Sequence, residues 1–160
     1  MSIEAKLLEL GYSLPSNSTP KAMYVPVKQV GNLLFVSGQG PFLSENDFYS
    51  GKVEIDKSLE EAQKAAEICA LNILAVLKEF TGNLDAITNF IKLTSFVNCS
   101  ENFDKHHIVT NGASNLLYNV FGDLGRHART AVGVSQLPFN ITVEIEAIVE
   151  IDPASLANRE

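Results

Sequence analysis

One hundred and sixty residues, 46% apolar and 19% charged, suffice for one compact domain spanning 1–160, because a chain of this size buries roughly two-thirds of its unfolded surface. That composition excludes intrinsic disorder, collagen and coiled coil. Twelve Lys+Arg against nineteen Asp+Glu give a net charge of −7 with three arginines; a general nucleic-acid surface, which works by neutralising several phosphates, is therefore not expected, although a local basic pocket stays open.

Residues 2–10 carry Ile3, Leu7, Leu8 and Leu10 at near-helical spacing and end at Gly11, which predicts a short amphipathic helix. Residues 12–23, with Pro15, Pro20 and several Ser and Asn, read as a surface connection completing an N-terminal extension over 1–23. Two apolar runs, 25–29 and 33–37, flank Gly31-Asn32 and predict a β-hairpin. Gly38-Gln39-Gly40-Pro41 ends the second strand, and the polar stretch 44–57 reads as an irregular excursion. Ser58 with Glu61 forms a capping box, and Leu59, Ala62, Ala66, Cys69, Ile73, Leu77 and Phe80 follow at helical spacing until Gly82-Asn83.

Residues 87–97 are rich in β-branched and aromatic side chains and predict a strand. A helix over 101–121, a strand over 129–136 stopped by Leu137-Pro138, and a strand over 142–151 complete the chain. In the last strand Val143, Ile145, Ala147, Val149 and Ile151 alternate against Thr142, Glu144, Glu146, Ile148 and Glu150. The order helix, β-β-α-β-α-β-β predicts an α+β layer, with two long helices covering one face of a mixed or antiparallel sheet. Phe90 and Phe96 fall on one side of the 87–97 strand and Ile91, Leu93 and Val97 on the other, so both faces should be covered. No sequence is left for another layer, and a second copy of the chain is the expected cover.

No apolar stretch approaches the roughly 18 residues a membrane span needs, and the N-terminus carries Glu4 and lacks the apolar run behind a basic start that marks a signal peptide; the expectation is a soluble, cytoplasmic protein. Cys69 and Cys99 form no CxxC, and Cys69 in its helical pattern reads as a small buried residue rather than a redox or metal group. His106 and His107 point about 100° apart on a helix and His127 lies between Arg126 and Arg129, so surface or capping roles are expected and no metal site. Gly38-x-Gly40 lacks the third glycine and the following helix of a dinucleotide site. No GxSxG is present, and neither cysteine has a histidine at a telling sequence distance.

Arg129 opens an apolar strand in a chain poor in arginine. Its fork suits a carboxylate held by two parallel hydrogen bonds, or a structural partnership with Glu144 or Glu146. Glu144 would gain proton affinity in a partly dry cleft and serve as an acid–base group, or it sits on a solvated strand face. Were the two final strands direct neighbours, Glu144 would lie opposite position 135 or so, roughly 20 Å from Arg129. Either these strands are not neighbours or a pocket holding both residues is built across a subunit boundary.

Three segments, Gly31-Asn-Leu-Leu-Phe-Val-Ser-Gly-Gln39, Arg129-Thr-Ala-Val-Gly-Val-Ser-Gln-Leu-Pro138 and Val143-Glu-Ile-Glu-Ala-Ile148, resemble in order and spacing the RidA (YjgF) family, also called endoribonuclease L-PSP. The likeness runs from Tyr24 to Ile151. The N-terminal helix, Asn111-Gly-Ala-Ser114 and Gly122-Asp-Leu-Gly-Arg-His-Ala-Arg129 look like a longer subgroup. The resemblance implies a chorismate-mutase-like α+β fold and a homotrimer with clefts between subunits. It also implies cofactor-free hydrolysis of 2-enamine and 2-imine carboxylates, such as 2-aminoacrylate, to 2-keto acid and ammonia. Arg129 matches the carboxylate clamp, Glu144 the acidic residue that positions or activates water, Tyr24 an aromatic lining position, and Ser37-Gly38 a loop bordering the cleft. Ala131 stands where shorter relatives often have cysteine, which excludes a thiol role there, and Arg126-His127 adds polar groups near the mouth. The rival readings are a non-catalytic trimer that binds small carboxylates and, with less support from charge, an endoribonuclease acting on single-stranded RNA.

Overall fold

The computed structural model describes residues 1–16 and 22–156; positions 17–21 of the expected connection lie outside the described residues. Helix α1 (Ile3–Glu9) is capped by Ser2, whose side chain accepts from Ala5 N, and buries Leu7. Strands β1 (Val27–Val30) and β2 (Leu33–Gln39) form the expected hairpin, with Gly31 at φ 61° supplying its turn. The excursion after Pro41 is more regular than expected. A small hairpin of β3 (Phe42–Ser44) and β4 (Asp47–Phe48) is closed by the Phe42 and Phe48 rings at 4.8 Å.

Helix α2 (Leu59–Thr81) carries both halves of the capping box: Ser58 accepts from Glu61 N, and Glu61 accepts from Ser58 N. It stops at Gly82 in the left-handed region. Strand β5 (Ile87–Asn98) follows. Helix α3 spans His106–Phe121, five residues later than expected at its start. Residues 101–105 instead make a turn, with Phe103 N donating to the Ser100 carbonyl and the buried Phe103 ring set edge-on to His106. Strands β6 (Ala128–Val134) and β7 (Val143–Ile151) complete the sheet.

The sheet order is β1-β2-β7-β5-β6, antiparallel except for the parallel β5–β6 pair. It is therefore mixed, and the two final strands are not neighbours: β5 lies between them. Helices α2 and α3 pack on each other and across one face, which is the expected α+β layering. Val143, Ile145, Ala147, Val149 and Ile151 all turn into that interface and are buried. Leu34 and Val36 of β2 and Leu93 and Val97 of β5 join them, opposite Ile73, Leu74 and Leu77 of α2 and Leu116 and Leu117 of α3.

Strict alternation misplaces one aromatic. The β5–β7 register shifts between Phe90 and Lys92, so Ile91 is an extra residue and the facing reverses there. Phe90 therefore shares the helix-covered face with Leu93, 1% exposed and edge-on to Phe121 at 5.0 Å, whereas Phe96 lies on the opposite face. That open face still carries Phe35, Phe96, Val132 and Ile148 beside Lys92, Glu144 and Glu146, with Phe35 and Val132 exposed.

The α2–α3 contact depends on Gly112, where a Cβ would come within 2.0 Å of the Gln63 carbonyl oxygen. The clash is with backbone and no rotamer relieves it. Gly112→Ala is expected to destabilise the fold by about 1–3 kcal/mol through enforced helix separation, read as a lower urea midpoint at unchanged m-value.

Candidate functional site

Strand β6 is an edge strand, and Arg129 pairs with Leu93, so its side chain leaves the sheet on the helix side. There α3 presents Asn111 and Ser114, one turn apart, on the face that meets β6. Arg129 Nη1 donates to Asn111 Oδ1 at 2.9 Å and to Ser114 Oγ at 3.0 Å, and Nη2 donates to the His107 carbonyl at 3.2 Å. All three acceptors are neutral. Among the described residues Arg129 makes no ion pair, and burial lowers its guanidinium from the ordinary value. Within one chain Arg129 makes no salt bridge to Glu144 or Glu146.

His127 extends the network. Its Nδ1 lies 2.7 Å from the Gly125 carbonyl, which only accepts, so Nδ1 carries the proton. Nε2, 3.0 Å from Ser114 Oγ, then accepts from that hydroxyl. Burial, aided by the Arg129 charge and only partly offset by the Gly125 carbonyl, lowers the imidazole from its ordinary value and favours this neutral form. His127 is thus a half-buried connector, where a surface or capping role was expected. Ser114, Tyr118, Arg126, His127 and Arg129 line a cavity of about 340 Å³.

Glu144 lies elsewhere. It pairs with Phe96, which pairs with Val132, so it leaves the sheet on the open face, three residues along and two strands across from Arg129. Those offsets put the two Cα atoms about 14 Å apart, with side chains on opposite faces. One chain does not bring clamp and carboxylate together. Burial first, and the neighbouring Glu146 second, raise the Glu144 carboxyl above its ordinary value. Its contact is Gly38: a Cβ there would meet Glu144 Oε1 at 2.3 Å. Gly38 and Ser37 occupy the irregularity between Val36 and Gln39 in the β2–β7 ladder, which bends the backbone over the carboxylate.

A second cavity, about 440 Å³, opens beside this bend and is lined by Tyr24, Gly38, Phe42, Phe48, Asn72 and Phe139, among others. Ser37 is not among its walls, because its hydroxyl donates to the Val25 carbonyl at 2.8 Å and pins the segment that carries Tyr24. Asn72, a buried amide in an apolar helix, donates to the Gly40 and Phe42 carbonyls and holds the rim. Phe139 and Asn140 adopt φ of 56° and 55°. Asn98 holds that turn by donating to Asn140 Oδ1 at 2.9 Å and the Ile141 carbonyl at 3.1 Å. The constraint leaves the Phe139 ring 79% exposed at the cavity.

The remaining candidates are structural. Cys69 is fully buried, with Sγ 3.5 Å from the Val143 carbonyl. Chain reversal does bring a histidine to Cys99, with Sγ 3.5 Å from His106 Nε2, a proximity invisible in sequence spacing. Burial raises both thiols, which disfavours the reactive thiolate. Among the described residues no group of three or more His, Cys, Asp or Glu could hold a metal ion, and no helix is long and apolar enough to cross a membrane.

With this geometry in place, comparison with known proteins assigns the class. Residues 4–151 match the family described as "YjgF/chorismate_mutase-like, putative endoribonuclease", and the chain belongs to that family. It is 40% identical over 151 residues to Protein TCP17 of Trypanosoma cruzi, covering 94% of each chain. It superposes on the Agrobacterium tumefaciens protein Atu1372, of unknown function, with TM-score 0.86 at 50% identity, covering 94% of this chain and 92% of that one. It is also 29% identical to a 2-iminobutanoate/2-iminopropanoate deaminase of Dermatophagoides farinae, covering 88% of this chain and 94% of the relative.

The His127 network carries a pH signature. Its folded-state pKa lies below the ordinary value of about 6.5, so the unfolded chain binds the extra proton first as pH falls. This contribution to stability is full above about pH 6.5 and is lost as pH drops through the folded value. His127→Gln is expected to flatten that acid-side decline in the urea midpoint between about pH 7 and pH 5; an unchanged slope would remove the neutral-histidine assignment.

Proposed function

We propose that this chain is a hydrolytic deaminase of reactive 2-enamine and 2-imine carboxylates, of the 2-aminoacrylate and 2-iminopropanoate type, releasing a 2-keto acid and ammonia. One observation carries the reading: a partly buried guanidinium, fixed by neutral acceptors beside an open cavity, has no anion of its own among the described residues. A small carboxylate supplies that anion. Its two oxygens match the fork and fix the direction of the adjoining carbon–nitrogen double bond. Similarity to the mite deaminase supports the same chemistry.

The catalytic unit in this proposal is a homotrimer with its sites in the clefts between protomers. Arg129 and Glu144 leave opposite faces of one sheet, so a site using both takes them from adjoining chains. The exposed Phe35 and Val132 on the open face supply apolar area for such an interface. Arg129 of one protomer holds the carboxylate. Tyr24, the Ser37-Gly38 bend and Glu144 of the next border the imine carbon.

An enamine first takes a proton on carbon and loses one from nitrogen to become the imine. Water then adds to the imine carbon as Glu144 accepts its proton and hands it to the nitrogen, giving a carbinolamine; Glu144 next takes the hydroxyl proton and passes it to the nitrogen, the carbon–nitrogen bond breaks, and ammonia leaves as the keto group forms. The raised proton affinity of Glu144 suits both transfers. Imines already hydrolyse in water, so the barrier reduction required is modest and no cofactor is called for. Two free thiols and no disulfide fit a reducing, cytoplasmic setting.

The test is keto-acid release from 2-aminoacrylate generated in situ. Wild-type protein is expected to accelerate it, and Arg129→Lys to lower kcat/KM by about 100-fold, because a point charge replaces a two-pronged contact. Gly38→Ala, which pushes the Glu144 carboxylate aside, is expected to lower kcat with little change in carboxylate affinity. No acceleration by the wild type over buffer overturns the deaminase reading; binding of pyruvate without turnover would leave the carboxylate-binding trimer in its place.

A further inference from the structure

Two of the three arginines of this net-negative chain line one cavity, and no carboxylate side chain lines it with them. Arg129 sits at one side, immobilised by Asn111, Ser114 and the His107 carbonyl. Arg126 sits three residues earlier, with its guanidinium carbon 5.8 Å from the centroid of the Tyr118 ring, another wall of the cavity. Ring contact at that distance restrains the guanidinium plane. Among the described residues the acidic partner of Arg126 is Asp123, with Oδ1 3.6 Å from Nη1; both side chains are largely exposed, at 74% and 85%, so this pair neutralises little. His127, between them, is held as a neutral connector and adds no third charge.

We propose that the preferred ligands of this cavity are 2-imino and 2-oxo acids bearing a second carboxylate on the side chain, with Arg129 taking the carboxylate beside the reacting carbon and Arg126 taking the distal one. The assignment rests on the deaminase reading for the chemistry and goes beyond it in naming the substrate class. A monocarboxylate imine satisfies one guanidinium and leaves the other to solvent. A dicarboxylate satisfies both and gains a second charge-assisted contact. Arg126 is thus a specificity-determining residue with no part in the bond-making steps.

Two measurements separate this inference from the reading beneath it. In turnover, imines generated in situ from glutamate or aspartate are expected to be hydrolysed with kcat/KM about tenfold or more above the imine from alanine, and Arg126→Gln to abolish that ratio. In equilibrium binding, read by calorimetry, 2-oxoglutarate is expected to bind about tenfold more tightly than 2-oxobutanoate, and Arg126→Gln to equalise the two. Arg126→Lys should restore part of the difference, because its charge remains. Equal affinities in the wild type, or a difference that survives in Arg126→Gln, overturn the inference. Inorganic phosphate that displaces 2-oxoglutarate at equal concentration overturns it in favour of a general anion site. Absence of turnover on every imine, with the binding difference intact, removes the deaminase reading and leaves the two-carboxylate site standing.

Discussion

Strand β5 hydrogen-bonds along both edges, antiparallel to β7 and parallel to β6, and this double ladder sets the position of each functional group. It separates the two motif-bearing strands by one strand, leaves β6 as an edge, and sends Arg129 to the helix side while Glu144 goes to the open side. The parallel pair requires a crossover, and α3 with its preceding turn provides it. The same crossover lays α3 against the base of β6, so that Asn111 and Ser114 meet Arg129. A direct β6–β7 hairpin would leave Arg129 without those acceptors.

The electrostatics of Arg129 follow from that placement. Partial burial disfavours its charge, and in most interiors an acidic side chain would compensate. Here two side-chain oxygens and a carbonyl do so, and they fix the orientation of the fork without cancelling its charge. Ser114 serves two partners: its oxygen accepts from Arg129 while its proton goes to His127. That arrangement works only with the imidazole neutral at Nε2, which the Gly125 carbonyl enforces from the other ring nitrogen. The positive potential at the cavity is therefore kept by a chain of neutral groups, within a molecule whose net charge is −7.

The parts of the fold readable from sequence were those governed by local rules. The Ser58–Glu61 box, the left-handed Gly82 and the alternation of β7 each depend on a few neighbouring residues, and each appears where expected. What escaped depends on pairing. The extra residue Ile91 reverses the facing of Phe90, and the irregularity at Ser37-Gly38 bends β2 over Glu144; neither leaves a compositional mark in its own strand. The late start of α3 reflects Phe103, which is buried by leaving the helix rather than by continuing it. Of the candidate site, Arg129, Glu144, Tyr24, Ser37 and Gly38 were singled out through family resemblance. Asn72 carried a physical signal, an amide within an otherwise apolar stretch of helix, whereas Asn111 and Ser114 share the polar side of α3 with His107, Asn115 and Tyr118 and nothing in that pattern separates them from a solvated face.

The two cavities are unlike each other, and the contrast bears on how the site is completed. One is built from arginines and small polar groups on the helix side of an edge strand; the other is built from aromatic rings and glycine backbone, with Gly38 in its wall standing between it and the Glu144 carboxyl of raised proton affinity. An imino acid has the same two halves: an anionic end, and a carbon–nitrogen bond that must meet water and a proton carrier away from bulk solvent. Neither cavity supplies both. An edge strand presents unpaired backbone and needs a cover, and an open sheet face bearing exposed Phe35 and Val132 needs one too. Setting the edge of one protomer against the open face of the next would answer both needs with a single contact and would bring the unlike halves together. In the proposed trimer, assembly and catalysis would share one geometric origin, the insertion of β5 between the strands that carry Arg129 and Glu144.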